Sequence, residues 1–162
     1  MMPDLRQQLQ SFAGGRVCFL GLGNVGGGDD GFGVRLAEEL IRAGVRDVIM
    51  ALSAPDVLAG RFIDTGFNHL VFLDAVDFGG DAGSAVLLNS QEITARFPQV
   101  STHHISLGML ARHFEAGGKL RVWLLGVQPE SLKRSLLLSP AVQKTMSILA
   151  EWISAARKGT AP

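Results

Sequence analysis

The sequence predicts an α/β fold, a three-layer sandwich in which a mostly parallel, twisted sheet of about five strands carries helices on both faces. A short apolar stretch at 16–22 is followed by a glycine-rich turn and then by an amphipathic helical pattern. Strand patterns alternate with helical patterns along the rest of the chain, which is typical of parallel sheets covered by helices. The segment at 69–73 is continuously apolar, as expected for a strand buried on both faces.

The individual elements follow from apolar periodicity and from turn residues. The predicted strands are 16–22, 45–52, 69–73, 84–88 and 120–127, with 84–88 at an edge of the sheet. The predicted helices are 4–12, 30–43, a short one within 54–66, one or two turns at 91–97, then 104–116 and 139–157, with loop at 98–102 and a frayed tail at 158–162. The last helix has a strong start signal, because Ser139 is suited to the N-cap and Pro140 to the first helical position.

Length and composition favour one soluble domain over residues 1–162. A chain of 162 residues, 47% of them hydrophobic, is long enough for one packed core and short for two. The formal charge is zero and no basic run indicates a nucleic acid or a membrane surface as partner. No apolar run approaches the roughly 20 residues that span a bilayer. The only cysteine, Cys18, suits a reducing compartment, so we expect a cytoplasmic protein, and a monomer because nothing in the sequence signals an oligomer.

A turn containing six glycines and two adjacent acids, residues 21–31, joins the first strand to the next helix. It satisfies the Gly-x-Gly-x-x-Gly pattern of dinucleotide-binding proteins. However, the second predicted strand lacks a terminal acid to bind a ribose, and Asp29 and Asp30 would repel a pyrophosphate at the helix N-terminus. No lysine is placed for a P-loop. We therefore expect no nucleotide cofactor, and a dinucleotide-binding enzyme is the weaker alternative.

The two acids have different expected roles. We expect Asp29 to cap the helix by accepting a backbone N–H, and Asp30 to remain available for a cation. Asp74 ends the most apolar strand, where a carboxylate needs a hydrogen-bond or metal partner, and a histidine, His103 or His104, opens the following helix. Two carboxylates and one imidazole suit a divalent transition metal with open positions. The alternative is a capping Asp29, a solvated Asp74 and a helix-start histidine that form no site.

Four sequence blocks, in this order and spacing, resemble the hydrogenase maturation proteases, the endopeptidases that trim the large subunit of [NiFe]-hydrogenases. The blocks are Gly21-x-Gly23-Asn24 followed by Gly28-Asp29-Asp30-Gly31, then Asp74-Ala75, then Ser101-Thr102-His103, and then Gly126-Val127-Gln128-Pro129-Glu130-Ser131-Leu132. The resemblance extends from about 16 to 153. The chain differs from the family after the second strand, where Met50-Ala51-Leu52 replaces the usual acid and small residues.

The resemblance implies a hydrolase, an aspartyl-type endopeptidase that removes a C-terminal peptide from a nickel-loaded hydrogenase large-subunit precursor. The family's three metal-contacting, catalytic positions correspond here to Asp30, Asp74 and His103, with His103 preferred because its Thr-His pair matches the family. These groups would recognise nickel carried by the precursor and hold no permanent cofactor. Metal-assisted hydrolysis with Asp30 or Asp29 as base is the expected chemistry. The alternative is a non-catalytic protein that escorts the metal or binds the precursor.

Overall fold

The structure, a computed structural model, describes residues 2–51, 66–97 and 106–158. Its strands are β1 (Val17–Gly21), β2 (Val48–Met50), β3 (His69–Ala75), β4 (Ala85–Asn89) and β5 (Arg121–Val127). Its helices are α1 (Met2–Gln10), α2 (Phe32–Arg42), α3 (Ser90–Arg96), α4 (Leu107–Glu115) and α5 (Pro140–Lys158), with 3-10 turns at Ser11–Gly14 and Gly28–Gly31. The helix predicted within 54–66 and the loop predicted at 98–102 lie outside the described residues, apart from Gly66.

The five strands form one sheet in the order β2-β1-β3-β5-β4. Four of them are parallel, and β4 pairs antiparallel with β5. Strand β4 lies at an edge of the sheet, as the sequence predicts. The order in which strands are added to the sheet reverses at β1, because β2 lies on one side of β1 and β3 lies on the other. In such sheets a crevice opens at the carboxyl ends of the two strands that flank this reversal, here β1 and β3, and ligands collect there.

Helices cover both faces of the sheet, which confirms the predicted three layers. Side chains alternate along the buried strands, so Val71 and Leu73 of β3 join one apolar cluster while Leu70 and Phe72 join another. The first cluster contains the apolar faces of α1, α2 and α5, and the second contains those of α3 and α4. Within the described ranges, no helix combines the length and apolarity needed to cross a membrane.

Strand β2 is shorter than the predicted span of 45–52. The first residues of that span belong to the turn that ends helix α2. The N–H of Val45 donates to Leu40 O at 3.0 Å and that of Gly44 to Ile41 O at 3.0 Å, with Gly44 at a φ of +85°. This is the Schellman arrangement, which satisfies the last helical carbonyls and needs a left-handed residue. The chain becomes extended only after Asp47, which also has a positive φ of 60°.

Cys18 lies in the centre of β1 and is fully buried. Burial, together with the negative charge of Asp47, raises the pKa of its thiol to about 12. Because the thiolate is the reactive form of cysteine, this side chain is an inert part of the core.

Gly33, in the first turn of α2, lets that helix approach the carboxyl ends of β1 and β3. A Cβ at this position would lie 1.9 Å from Leu73 O and 2.4 Å from Leu22 O, both backbone atoms. No side-chain rotation can relieve that contact. The close approach brings the start of α2, and with it the two acids of the glycine loop, next to the end of β3.

We expect Gly33→Ala to destabilise the fold by about 3 kcal/mol, because α2 must move away from the strands to make room for the methyl group. Urea denaturation would measure the change in the free energy of unfolding. Gly117→Ala is the matched control, since a Cβ there meets nothing within 4 Å, and its effect should stay within about 0.5 kcal/mol. Equal stabilities for the two variants would contradict this packing.

Candidate functional site

The backbone of Asp30 and the carboxylate of Asp74 both lie beside one glycine at the carboxyl edge of the sheet. Gly23 has a φ of +112°, and a Cβ there would lie 2.0 Å from the carbonyl oxygen of Asp30 and 3.5 Å from Asp74 Oδ1. Only glycine fits between these groups. The structure therefore brings together two of the three predicted site residues, which are 44 positions apart in the sequence (74 − 30).

Asp30 is partly exposed and faces the glycine loop. Its Oδ2 accepts the backbone N–H of Asn24 at 3.0 Å. Within the described ranges its Oδ1 accepts no hydrogen bond, so this oxygen remains available for a ligand. Gly27 lies directly beside it, since a Cβ there would be 3.2 Å from Asp30 Cβ.

Asp74 is only 3% exposed. It is the penultimate residue of β3, which runs two residues beyond the predicted span of 69–73, and it pairs in register with Gly126 of β5. Its Oδ1 accepts the N–H of Ala75 at 2.9 Å. A carboxylate buried at the end of a core strand is costly unless bonded, and its position at the crevice makes it a candidate ligand.

The expected capping role of Asp29 is wrong. Neither the 3-10 turn nor α2 has a side-chain cap; the N-cap residue of α2 is Gly31. Instead Asp29 Oδ2 accepts the N–H groups of Glu130 and Ser131 at 2.8 and 3.1 Å. The N–H and hydroxyl of Ser139 donate to Oδ1 and Oδ2 at 2.7 and 2.8 Å. The carboxylate thus fixes the segment between β5 and α5.

These bonds determine the ionisation of Asp29, which is 1% exposed. Burial alone would raise its pKa, but the hydrogen bonds from Ser139, Ser131 and Glu130 together outweigh that effect and hold the pKa below its usual value. Asp29 is therefore a permanently charged structural group at neutral pH. The sequence gives no local sign of this role, since the partners lie 101 to 110 residues away.

Backbone hydrogen bonds join the glycine loop to the same segment. Gly28 N–H donates to Ser135 O at 2.9 Å, and Ser135 N–H donates to Gly26 O at 3.1 Å, forming a short parallel bridge. Gly28 has a φ of +63°, and a Cβ there would lie 2.8 Å from Lys133 O. A glycine is therefore required at position 28 by the close approach of the neighbouring loop.

Gln128 is a structural residue that the sequence analysis missed. Its side chain is buried, and Oε1 accepts the N–H groups of Phe78 and Gly80 at 2.9 and 3.2 Å. Its Nε2 donates to Asp77 Oδ1 at 3.1 Å. Gln128 therefore holds the glycine-rich loop that follows β3 against the end of β5. Its place directly after a buried strand is the only sequence signal for this role.

The third predicted ligand, His103, and its alternative, His104, lie outside the described residues. Among the residues that are described, no three histidine, cysteine or carboxylate side chains are arranged to hold a metal ion. The described part of the site is therefore the pair Asp30 and Asp74.

The opposite edge of the sheet carries a depression of about 360 Å³, lined in part by Asn89, Glu115 and Trp123. Beside it, Trp123 Nε1 donates to His69 Nδ1 at 3.1 Å. Burial, and then the charge of Arg121, lower the pKa of His69, which favours the neutral ring that this bond requires. The depression is far from the acids and forms no part of the candidate site.

We expect Asp29→Asn to lower the free energy of unfolding by about 2 kcal/mol, because an amide must turn its NH₂ toward at least one of the N–H donors that the carboxylate accepts. Urea denaturation at neutral pH measures this. Glu151→Gln, at an exposed position of α5, is the matched control and should change stability by less than about 0.5 kcal/mol.

The effect should also depend on pH. The pKa of Asp29 is lower in the folded than in the unfolded chain, so the stabilisation is complete above the unfolded value of about 3.9 and declines as the pH falls through the folded value. The stability difference between wild type and Asp29→Asn should therefore shrink in acid. A difference that stayed constant down to strong acid would contradict the assigned role.

Comparison with known proteins identifies the family. The model of a family described as hydrogenase maturation protease matches residues 34–156. The hydrogenase 2 maturation protease of Escherichia coli strain K12 is 29% identical over 149 residues, 87% of this chain and 90% of that protein.

Solved structures agree. The crystal structure of the [NiFe] hydrogenase maturation protease HycI from Thermococcus kodakarensis KOD1 has a TM-score of 0.81 at 28% identity, covering 94% of this chain and 99% of that one. The hydrogenase maturating endopeptidase HybD from Escherichia coli has a TM-score of 0.71 at 26% identity, covering 90% and 93%. The resemblance drawn from the four sequence blocks is confirmed: the chain belongs to the hydrogenase maturation protease family and is a hydrolase, a maturation endopeptidase.

Proposed function

We propose that this chain removes a C-terminal peptide from the nickel-loaded precursor of a [NiFe]-hydrogenase large subunit, and that Asp30, Asp74 and His103 contact the nickel of that substrate. The observation that carries the proposal is that the backbone of Asp30 and the carboxylate of Asp74 both lie beside Gly23 at the crevice of the sheet. The metal arrives with the precursor, and the protein holds no nucleotide and no permanent metal.

The direction of α4 supports a place for His103 at the same edge. At the C-terminal end of this helix, Glu115 Oε1 accepts the N–H of Val122, near the start of β5, at 2.7 Å. The C-terminal end of α4 thus lies where β5 begins, so the helix begins at the carboxyl edge of the sheet, where β5 ends. Its N-cap is Ser106, whose Oγ accepts the N–H of Met109, and His103 precedes that cap by three residues.

The donor set suits recognition of nickel in a partly assembled site. Two carboxylates and one imidazole bind borderline divalent ions through oxygen and nitrogen, and they leave coordination positions for ligands that the precursor itself supplies. At Gly26 a Cβ would meet only the side chain of Asn24 within 4 Å, so no other group of the described residues covers the backbone at this point of the loop. A protein tail with its metal can therefore approach the backbone.

The chemistry that fits these residues is attack of water on the scissile carbonyl carbon. A carboxylate takes the proton of the water, the carbon–nitrogen bond breaks, and the proton passes to the departing amine. Asp30 fits the role of base because it is partly exposed beside the crevice. Asp29 does not fit, because both its oxygens are occupied by hydrogen bonds, and the inert thiol of Cys18 does not fit the role of nucleophile.

Separate Asp30→Ala, Asp74→Ala and His103→Ala variants test the proposal on a purified, nickel-loaded precursor. We expect each to lower kcat/KM for release of the C-terminal peptide by roughly a hundredfold or more, measured by mass spectrometry. The matched controls are Asp81→Ala and His113→Ala, two exposed residues that should keep wild-type rates. Circular dichroism checks that every variant is folded.

Three results would contradict the proposal. Processing that survives all three changes would remove the assigned residues from the site. A wild-type chain that forms a stable complex with the precursor without cutting it would favour an escort. Equal cutting of nickel-loaded and metal-free precursor would show that nickel is not recognised.

A further inference from the structure

The loop at 131–137, called here the leucine loop, exposes an unusual amount of apolar surface. Leu132, Leu136 and Leu137 are 56%, 70% and 78% exposed, which makes them the three most exposed large hydrophobic side chains among the described residues. Single exposed leucines are ordinary, but several in one short loop form a patch of the kind that marks an interaction site. The adjoining Leu138 packs against the core, so the loop is anchored at its end.

The leucine loop is held in place by more contacts than an exposed loop usually has. The buried carboxylate of Asp29 fixes its start at Ser131. The bridge between Ser135 and the glycine loop fixes its centre, and a guanidinium N–H of Arg35 on α2 donates to Leu136 O at 3.3 Å. A surface that is already ordered loses little conformational entropy when a partner binds.

The loop lies directly beside the candidate site. Ser135 is bridged to Gly27, and Gly27 contacts Asp30, as the 3.2 Å distance between a Cβ at Gly27 and the Cβ of Asp30 shows. Only the width of the glycine loop therefore separates the leucine loop from the acid proposed to contact nickel. A protein segment seated on one would extend naturally over the other.

The charge of the loop indicates which segment fits. Lys133 and Arg134 lie next to each other between Leu132 and Leu136, and both are exposed. In the part of the chain that the structure describes, neither forms an ion pair, whereas Arg35 and Arg42 both do. Exposed apolar side chains on both sides of two cations match a partner segment that is apolar and carries carboxylates.

We propose that the leucine loop docks an apolar, acidic segment of the precursor's protein chain while its nickel lies at the acid pair. This inference rests on the proposed function and adds a second recognition element to it. The acid pair recognises the metal, and the leucine loop binds the protein chain that carries the metal.

Two double variants test the loop: Leu136→Ser with Leu137→Ser, and Lys133→Glu with Arg134→Glu. With enzyme in excess over nickel-loaded precursor, the enzyme concentration that gives the half-maximal single-turnover rate measures docking, and the maximal rate measures cutting. We expect each double variant to raise the half-saturating concentration roughly tenfold and to change the maximal rate less than twofold. Salt should weaken docking by the wild type more than by the charge variant.

The matched controls are Ile41→Ser, an exposed apolar residue on α2, and Lys144→Glu, an exposed cation on α5; both should dock as the wild type does. Unchanged half-saturation in both double variants, or a loss confined to the maximal rate, would overturn the docking role while leaving the protease intact. A wild type that cuts no precursor would instead overturn the proposed function. A wild-type dimer in sedimentation experiments that dissociates on Leu136→Ser with Leu137→Ser would also overturn the docking role, because the patch would then bind a second copy.

Discussion

The buried carboxylate of Asp29 is the interaction on which the candidate site depends. A charge removed from water is stable in a fold only when its oxygens are satisfied, and here four donors from one distant segment meet that need. The same bonds determine three features: the path of the glycine loop, the shape of the leucine loop and the starting point of α5. Because Asp30 follows at the next peptide unit, its position is determined as well.

Two neighbouring acids thus have opposite surroundings. Asp29 is buried and both its carboxylate oxygens are occupied by hydrogen bonds, whereas Asp30 is partly exposed and accepts one backbone N–H at the crevice. The surroundings of the two acids differ because the backbone is closely packed here. Gly23 and Gly33 allow the glycine loop and α2 to pack against the end of β3. The hydrogen bonds that hold Asp29 in place also hold the backbone of Asp30, and they thereby fix the position of Asp30 relative to Asp74.

The fold was predictable because its signals are local. Alternation of strand and helix patterns, and the continuous apolar run of β3, require only neighbouring residues to be interpreted, and the helix-ending turn at Gly44 accounts for the overlong prediction of β2. The roles of Asp29 and Gln128 were not predictable, since their partners lie about fifty to more than a hundred positions away. From neighbouring residues alone, helix capping is the reasonable prediction for Asp29. Its carboxylate instead accepts hydrogen bonds from residues distant in the sequence. The placement of Asp30 and Asp74 at the carboxyl edge was predictable, because Asp30 lies in the loop after β1 and Asp74 near the end of β3, where the topology of a parallel sheet gathers polar side chains.

The inert Cys18 has a practical consequence for studies in solution. It is the only cysteine in the chain, it is fully buried, and its pKa of about 12 leaves almost no thiolate at neutral pH. Maleimide dyes and nitroxide spin labels should therefore react only with a cysteine introduced at the surface. The native background needs no mutation, so a single fluorophore beside the crevice can report arrival and departure of a protein partner in real time.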